Sequence, residues 1–235
     1  KSREVGTNNV LVRWGVDESH VLRNLNINVP SPIKGQYDWP GQYKPFKHQK
    51  DTSAFLTMNR RAFCFNEQGT GKTASAIWAS DFLLKQRAIK RVLVICPLSI
   101  MDSAWRGDLF NFAMHRRVDI AYGSADKRRK IIGGDAEYVI INYDGVAIVQ
   151  DAIIDGGFDL IVVDEATHYK NAQTTRWKTL NKILKPDTWL WMMTGTPAAQ
   201  SPLDAYGLAK LINPTCVPRF FGSFSDMVMY KVSNF

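Results

Sequence analysis

From about residue 60 the chain alternates short apolar runs with stretches whose apolar residues recur at helical spacing. The runs are RAFCF (61–65), VLVIC (92–96), VDIAY (118–122), YVIIN (138–142), DLIVVD (159–164) and TWLWMMT (188–194). They are too short for helices and mostly do not alternate polar with apolar, which marks strands buried on both faces. Between them, 72–84, 99–112, 174–184 and 202–212 carry helical patterns; Ala76, Ile77, Ser80, Leu83 and Leu84, for example, share one face. Strand–helix alternation of this kind predicts an α/β fold, a mostly parallel sheet with helices on both sides. With 235 residues, 45% of them hydrophobic, there is core enough for one domain of this sort.

The first forty residues read differently. VLVRWGV (10–16) alternates, with Val10, Val12, Trp14 and Val16 on one side, and predicts a small strand or hairpin. NVPSPIKGQYDWPGQYKP (28–45) is rich in proline and glycine and reads as linker. Residues 1–42 are therefore expected as an extension packed on a main domain of residues 43–235. No run approaches the roughly 18 apolar residues of a membrane span, and no membrane partner is expected. The first residues lack the apolar core of a secretory signal. Cys64, Cys96 and Cys216 support neither a disulfide frame nor a zinc site, so a reducing compartment is expected, cytoplasmic or nucleoid/nuclear.

A net charge of +8 favours a polyanionic partner. Within the basic residues, DKRRK (126–130) reads as a solvated face. Lys170, Arg176, Lys178, Lys182 and Lys185, in a stretch without an acid, are better placed for nucleic-acid backbone contact. Trp105, Trp177, Trp189 and Trp191 read as core.

NEQGTGKT (66–73) follows the first of the apolar runs and opens a helix. A phosphate-binding loop needs small residues so that backbone N–H groups close on the phosphates. It also needs a lysine to reach them, and a hydroxyl for Mg²⁺ at the helix start. Gly69 and Gly71 supply the bend, Lys72 the cation and Thr73 the hydroxyl, with Gln68 and Thr70 completing the loop. The usual pattern has glycine where this chain has Asn66. LIVVDEATHYKN (160–171) then ends a buried strand in Asp164 and Glu165, at the end of a parallel sheet where ligands bind. One acid can hold Mg²⁺, and the next can orient and deprotonate an attacking water. ATP is preferred over GTP because no Asn-Lys-x-Asp segment is present; the nearest string is NKIL (181–184).

Three more segments fall in order around these two: YKPFKHQK (43–50), VICPLSIMDSAW (94–105) and MMTGTPAAQSPLDAYGLAKLINP (192–214). The set resembles the first, N-terminal RecA-like lobe of superfamily 2 helicases and translocases, most closely the Swi/Snf-type ATPases that move on double-stranded DNA. The resemblance implies a RecA-like P-loop lobe that uses ATP and Mg²⁺. Gln49 would read the adenine edge, Gln68 to Thr73 would hold phosphates, Thr73 and Asp164 would hold Mg²⁺, and Glu165 would be the base. Thr194 and Thr196 would link nucleotide state to the DNA track. Pro97, Leu98, Ser99, Asn142, Tyr143, Lys170 and Asn171 would lie along the DNA backbone. The tail at 220–232 resembles the segment leading out of this lobe. The family places histidine two residues after the catalytic glutamate, whereas this chain has Thr167 there and His168 next; either could couple the acid pair to TGTP. About forty residues follow TGTP, too few for a second lobe, so these residues are expected to be one lobe of a two-lobed motor, and a monomer. An RNA or single-strand helicase lobe, and a nucleotide-binding adaptor without hydrolysis, are the alternatives.

Overall fold

The computed structural model describes residues 2–4, 10–198 and 200–229, with backbone alone at 2–4. Six strands form one sheet: β3 (Arg61–Cys64), β4 (Val92–Cys96), β5 (Val118–Ile120), β6 (Tyr138–Asn142), β7 (Leu160–Val163) and β8 (Trp189–Met193). All the pairings are parallel and the order is β3-β8-β7-β4-β6-β5. Each coincides with a predicted run: β4 and β6 match theirs end to end, and the other four are trimmed. β3 stops before Phe65 and β5 before Tyr122, both half-exposed, because the chain leaves the sheet there.

Side chains alternate across the pleat. Val92, Val94 and Cys96 of β4 face one core with Trp189, Trp191 and Met193 of β8, under the helices Lys47–Thr57, Lys72–Lys85 and Gly107–Ala113. Leu93 and Ile95 face the other core with Leu190 and Met192, under Tyr143–Ile148, Gln150–Asp155, Thr175–Ile183 and Ala205–Ile212. Trp105, Trp177, Trp189 and Trp191 are all buried in these two cores.

The predicted helices form with revised ends. The 99–112 pattern divides into a 3₁₀ turn at Leu98–Ile100, a π-helical segment at Met101–Arg106 and the α-helix Gly107–Ala113. The helix Lys72–Lys85 buries residues 74–84 without a break, not just the predicted face. The reason lies in the stretch read as linker. There Ile33, Tyr37 and Trp39 are buried, and the last two cover the helix's outer side: Tyr37 meets Phe82 edge to face at 5.7 Å, and Trp39 meets Trp78 at 5.9 Å. Trp78 Nε1 donates to the Pro40 carbonyl at 2.9 Å.

Two further readings are corrected. Of the small strand or hairpin expected at 10–16, an antiparallel pair of strands does form, β1 (Ser2–Glu4) with β2 (Val10–Val12), but β2 covers only the first part of that stretch. Val16 instead opens the helix Val16–Asn24, whose first turn carries Asp17 and Glu18 against the positive end of the helix. The basic run 126–130 lies in the helix Ala125–Ile132, capped by Ser124, and is not wholly solvated. Arg128 is 6% exposed, with its guanidinium donating to the carbonyls of Ala121 and Gly123 and to Asn142 Oδ1, each at 2.9 Å.

Asp81 is buried on the helix Lys72–Lys85 and receives Tyr37 Oη at 2.5 Å, Arg116 Nε at 2.6 Å and His115 Nε2 at 3.0 Å. Arg116 also donates to Glu137 Oε1 at 2.6 Å. Removing one partner of a buried pair strands the other charge. Asp81→Ala is therefore expected to cost about 3–5 kcal/mol, read as a lower urea midpoint; a loss under about 1 kcal/mol would place the network in the surface class.

Candidate nucleotide site

The loop after β3 is held open by its own backbone and by the helix Lys47–Thr57 beside it. Gly69 and Gly71 both have φ of +76°, a left-handed conformation that side chains rarely adopt. At Gly71 a Cβ would also run into the Gln49 amide. Gln49 Oε1 accepts from Phe46 N at 2.9 Å, while its Nε2 donates to the Thr70 carbonyl at 3.3 Å. His48 Nε2 reaches the same carbonyl at 3.0 Å, and so acts as a donor. Asn66, in the place of the usual glycine, donates from Nδ2 to Thr52 Oγ1 at 2.9 Å and pins the loop to that helix. Lys72 Nζ bridges the carbonyls of Asn66 and Glu67 at 2.9 and 3.0 Å. Thr73 follows in the first turn of the helix.

Opposite the loop, β7 delivers Asp164, 7% exposed. Its carboxylate is gripped at both oxygens: Trp105 Nε1 donates to Oδ2 at 2.9 Å and Glu165 N donates to Oδ1 at 3.0 Å. Burial pushes this carboxyl above its usual range, opposed by those two donors and by the Lys72 charge. Tyr143 Oη donates to the Asp164 carbonyl at 2.6 Å. Glu165 itself sits at φ +48° and ψ +57°, a strained backbone for a non-glycine residue. Such strain persists only where surrounding contacts over-determine it, most often at functional sites.

Gln49, Gln68, Gly69, Gly71, Lys72, Thr73, Asp164 and Glu165 together line one cleft of about 450 Å³. Asp108 and Phe112, which no motif in the sequence marks, form a third wall. One helical turn separates them, and that spacing was the available signal. Burial raises the Asp108 carboxyl. The donor set suits a polyphosphate with Mg²⁺. A helix N-terminus and an ammonium meet anions, and one buried carboxylate with one hydroxyl is the partial set that Mg²⁺ completes with phosphate oxygens and water.

Sheet order brings the remaining segment in. β8 lies between β3 and β7, with Cys64 opposite Met193 and Val163 opposite Met192. The turn 194–196 therefore emerges between the loop and the acid pair. Thr194 is fully buried and its Oγ1 accepts from Thr196 N at 3.1 Å; a Cβ on Gly195 would press on Gln68. Among the described residues, neither Thr167 nor His168 has a side-chain hydrogen bond to this turn. His168 packs on the Tyr143 ring at 4.6 Å and accepts from Arg176 Nη1 at 3.3 Å; burial and that guanidinium lower its pKa.

The residues expected along DNA divide. Leu98 and Ser99 are exposed, with Pro97 half-buried beside them. Tyr143 is turned inward, 7% exposed, because its hydroxyl is committed to Asp164; Asn142 is held by Arg128. Lys170 Nζ bonds Gln200 Oε1 at 2.7 Å and Asp204 at 3.2 Å, and with Asn171 it lines a separate hollow of about 530 Å³. The acid-free stretch is thus partly neutralised in space, since Arg176 also donates to Asp144 at 2.7 Å. Lys178 and Lys182 remain exposed.

A wholly parallel sheet with a glycine–lysine–threonine loop and a strand-end acid pair facing one cleft defines a RecA-like P-loop lobe. The chain belongs to the SNF2-related domain family, whose model matches residues 48–231. It is 28% identical over 185 residues to a SWI/SNF-related matrix-associated actin-dependent regulator of chromatin subfamily A-like protein 1 of Xenopus laevis, covering 77% of this chain and 18% of that protein. To the DNA repair and recombination protein RAD54-like of Gallus gallus it is 24% identical, covering 79% and 27%. Among solved structures, a Sulfolobus solfataricus SWI2/SNF2 ATPase core in complex with dsDNA superposes with a TM-score of 0.71 at 24% identity, over 80% of this chain and 39% of that one. The chain thus spans about a fifth to a quarter of the length of these two relatives.

Proposed function

We propose that this chain is the ATP-binding lobe of an ATP-dependent motor acting on double-stranded DNA. The observation that carries the reading is the β3-β8-β7 adjacency, which sets Lys72 and Thr73 against Asp164 and Glu165 across one cleft, with the 194–196 turn between them. The loop N–H groups and Lys72 hold the phosphates. Gln49 offers its remaining amide hydrogen toward the adenine edge. Thr73 and Asp164 would hold Mg²⁺, which would supply positive charge against the phosphoryl oxygens. Glu165 takes the proton of the attacking water. Thr194 and Thr196, in the turn whose Gly195 lies close beside Gln68, pass nucleotide state onward, with Thr167 or His168 on the acid side. Pro97, Leu98, Ser99 and Asn171 would contact the duplex backbone, and Lys170 would join them on giving up Asp204. The SWI2/SNF2 core solved with dsDNA, and the relatives' names, support a DNA partner.

A complementary RecA-like lobe would supply the arginines that stabilise transition-state charge, worth roughly 10³–10⁵ in rate in related phosphoryl-transfer enzymes. These 235 residues alone are then expected to bind ATP and to release phosphate slowly, unchanged by duplex DNA. Phosphate release with and without duplex tests this; strong stimulation would put the arginines in this chain or a second copy. ATP titration tests the site itself, and no detectable binding would end the nucleotide reading.

Duplex binding is expected to be indifferent to sequence and steep in salt. Each phosphate neutralised contributes roughly −0.9 to the slope of log affinity against log salt, and a slope of roughly −3 or steeper is expected. Affinities for two unrelated duplexes across a salt series decide it; a shallow slope or a strong preference for one duplex counts against a backbone track.

A further inference from the structure

We infer that Trp105 is the positioning residue that fixes the orientation of the Asp164 carboxylate toward the cleft and so sets the affinity for the nucleotide-bound divalent cation. The inference rests on the nucleotide reading above. Trp105 is 1% exposed, and its single polar atom donates to Asp164 Oδ2 at 2.9 Å. Oδ1 is engaged from the other side by Glu165 N at 3.0 Å. A carboxylate on one freely rotating bond samples many orientations. Two donors approaching from different elements restrict it to one, at the edge of the cleft that Asp164 lines with Lys72 and Thr73. The indole is a donor only, so it cannot turn its N–H into an acceptor and release the acid.

The backbone around Trp105 supports a specific role. It lies in the π-helical segment Met101–Arg106, between the 3₁₀ turn Leu98–Ile100 and the α-helix Gly107–Ala113. Single-turn π insertions collect at functional sites because they re-aim side chains that a regular helix would point elsewhere. Here the re-aimed side chain crosses to an acid far along the sequence. Partners that orient metal-binding carboxylates typically change metal affinity by 10–100-fold when removed.

Trp105→Phe keeps the buried ring and deletes the N–H. Mn²⁺ binding in the presence of ADP, followed by electron paramagnetic resonance, is expected to weaken by about 10-fold or more, while ADP binding without metal changes little. Trp191→Phe is the control, since Trp191 is as buried a residue and its Nε1 donates to the Asn59 carbonyl at 3.0 Å, away from the acids. It is expected to lower thermal stability without moving the Mn²⁺ affinity. Equal Mn²⁺ affinity in wild type and Trp105→Phe, or equal losses in both variants, overturns the assignment. If Trp105→Phe does not fold, the indole N–H resonances of the wild type decide instead. Mg²⁺ added to the ADP complex should shift the Trp105 signal and leave the Trp191 signal in place, and an unmoved Trp105 signal overturns the assignment. Wild type that binds no Mn²⁺–ADP at all would sink the nucleotide reading itself, a result distinct from a silent Trp105.

Discussion

Glu165→Gln is expected to bind ATP about as well as the wild type and to lose turnover by about 10²–10⁴-fold, the range of a positioned general base. The amide keeps the size and hydrogen-bonding shape of the carboxylate but cannot take a proton from water. In the proposed site the ground-state phosphates would meet the loop and Lys72, so the loss should fall on the transition state and not on binding. The backbone at Glu165 offers a second control. Residue 165 is left-handed in the fold, held there by the Asp164 carboxylate on its N–H and by Tyr143 on the preceding carbonyl. Tyr143→Phe should therefore reduce turnover as well, with a smaller effect, because the base is loosened but present. Nucleotide titration beside single-turnover phosphate release separates the two quantities. Turnover at the wild-type rate in Glu165→Gln would remove it as the base.

Lys72→Ala is expected to weaken ATP binding on the order of 10²-fold, the loss of charge-assisted hydrogen bonds to phosphate. Part of the effect belongs to the loop, since Lys72 also bridges the Asn66 and Glu67 carbonyls. Adenosine distinguishes the two contributions. If Lys72 acts on phosphate, adenosine affinity stays near the wild-type value while ATP affinity collapses. Equal losses for both ligands would assign Lys72 to loop structure.

Much of this fold can be read locally because its strands are buried on both faces. β4 and β8 are apolar at every position, and such runs have few alternatives to a central parallel strand. The elements that escaped the reading are those whose pattern is masked by composition. Ala125–Ile132 looks like a charged surface run, yet Arg128 is buried because three carbonyl oxygens converge on it. Ile33, Tyr37 and Trp39 sit among prolines and glycines, and nothing nearby in the chain says that they cover the helix carrying Asp81.

By itself the sequence determined which groups a candidate site could offer: glycines for a tight bend, the lysine and hydroxyl at a helix start, and two acids at the end of an apolar strand. Those features are local, since backbone conformation and side-chain type answer to a few neighbours. Only the tertiary structure decided which strands are adjacent. Placing β8 between β3 and β7 sets the loop and the acid pair, far apart in sequence, on opposite walls of one cleft. The same packing turned Tyr143 inward from an expected surface position and set Trp105 on Asp164. A tryptophan at helical spacing signals only a buried ring. Which acceptor its N–H finds depends on how two layers pack, and that is a property of the whole sheet.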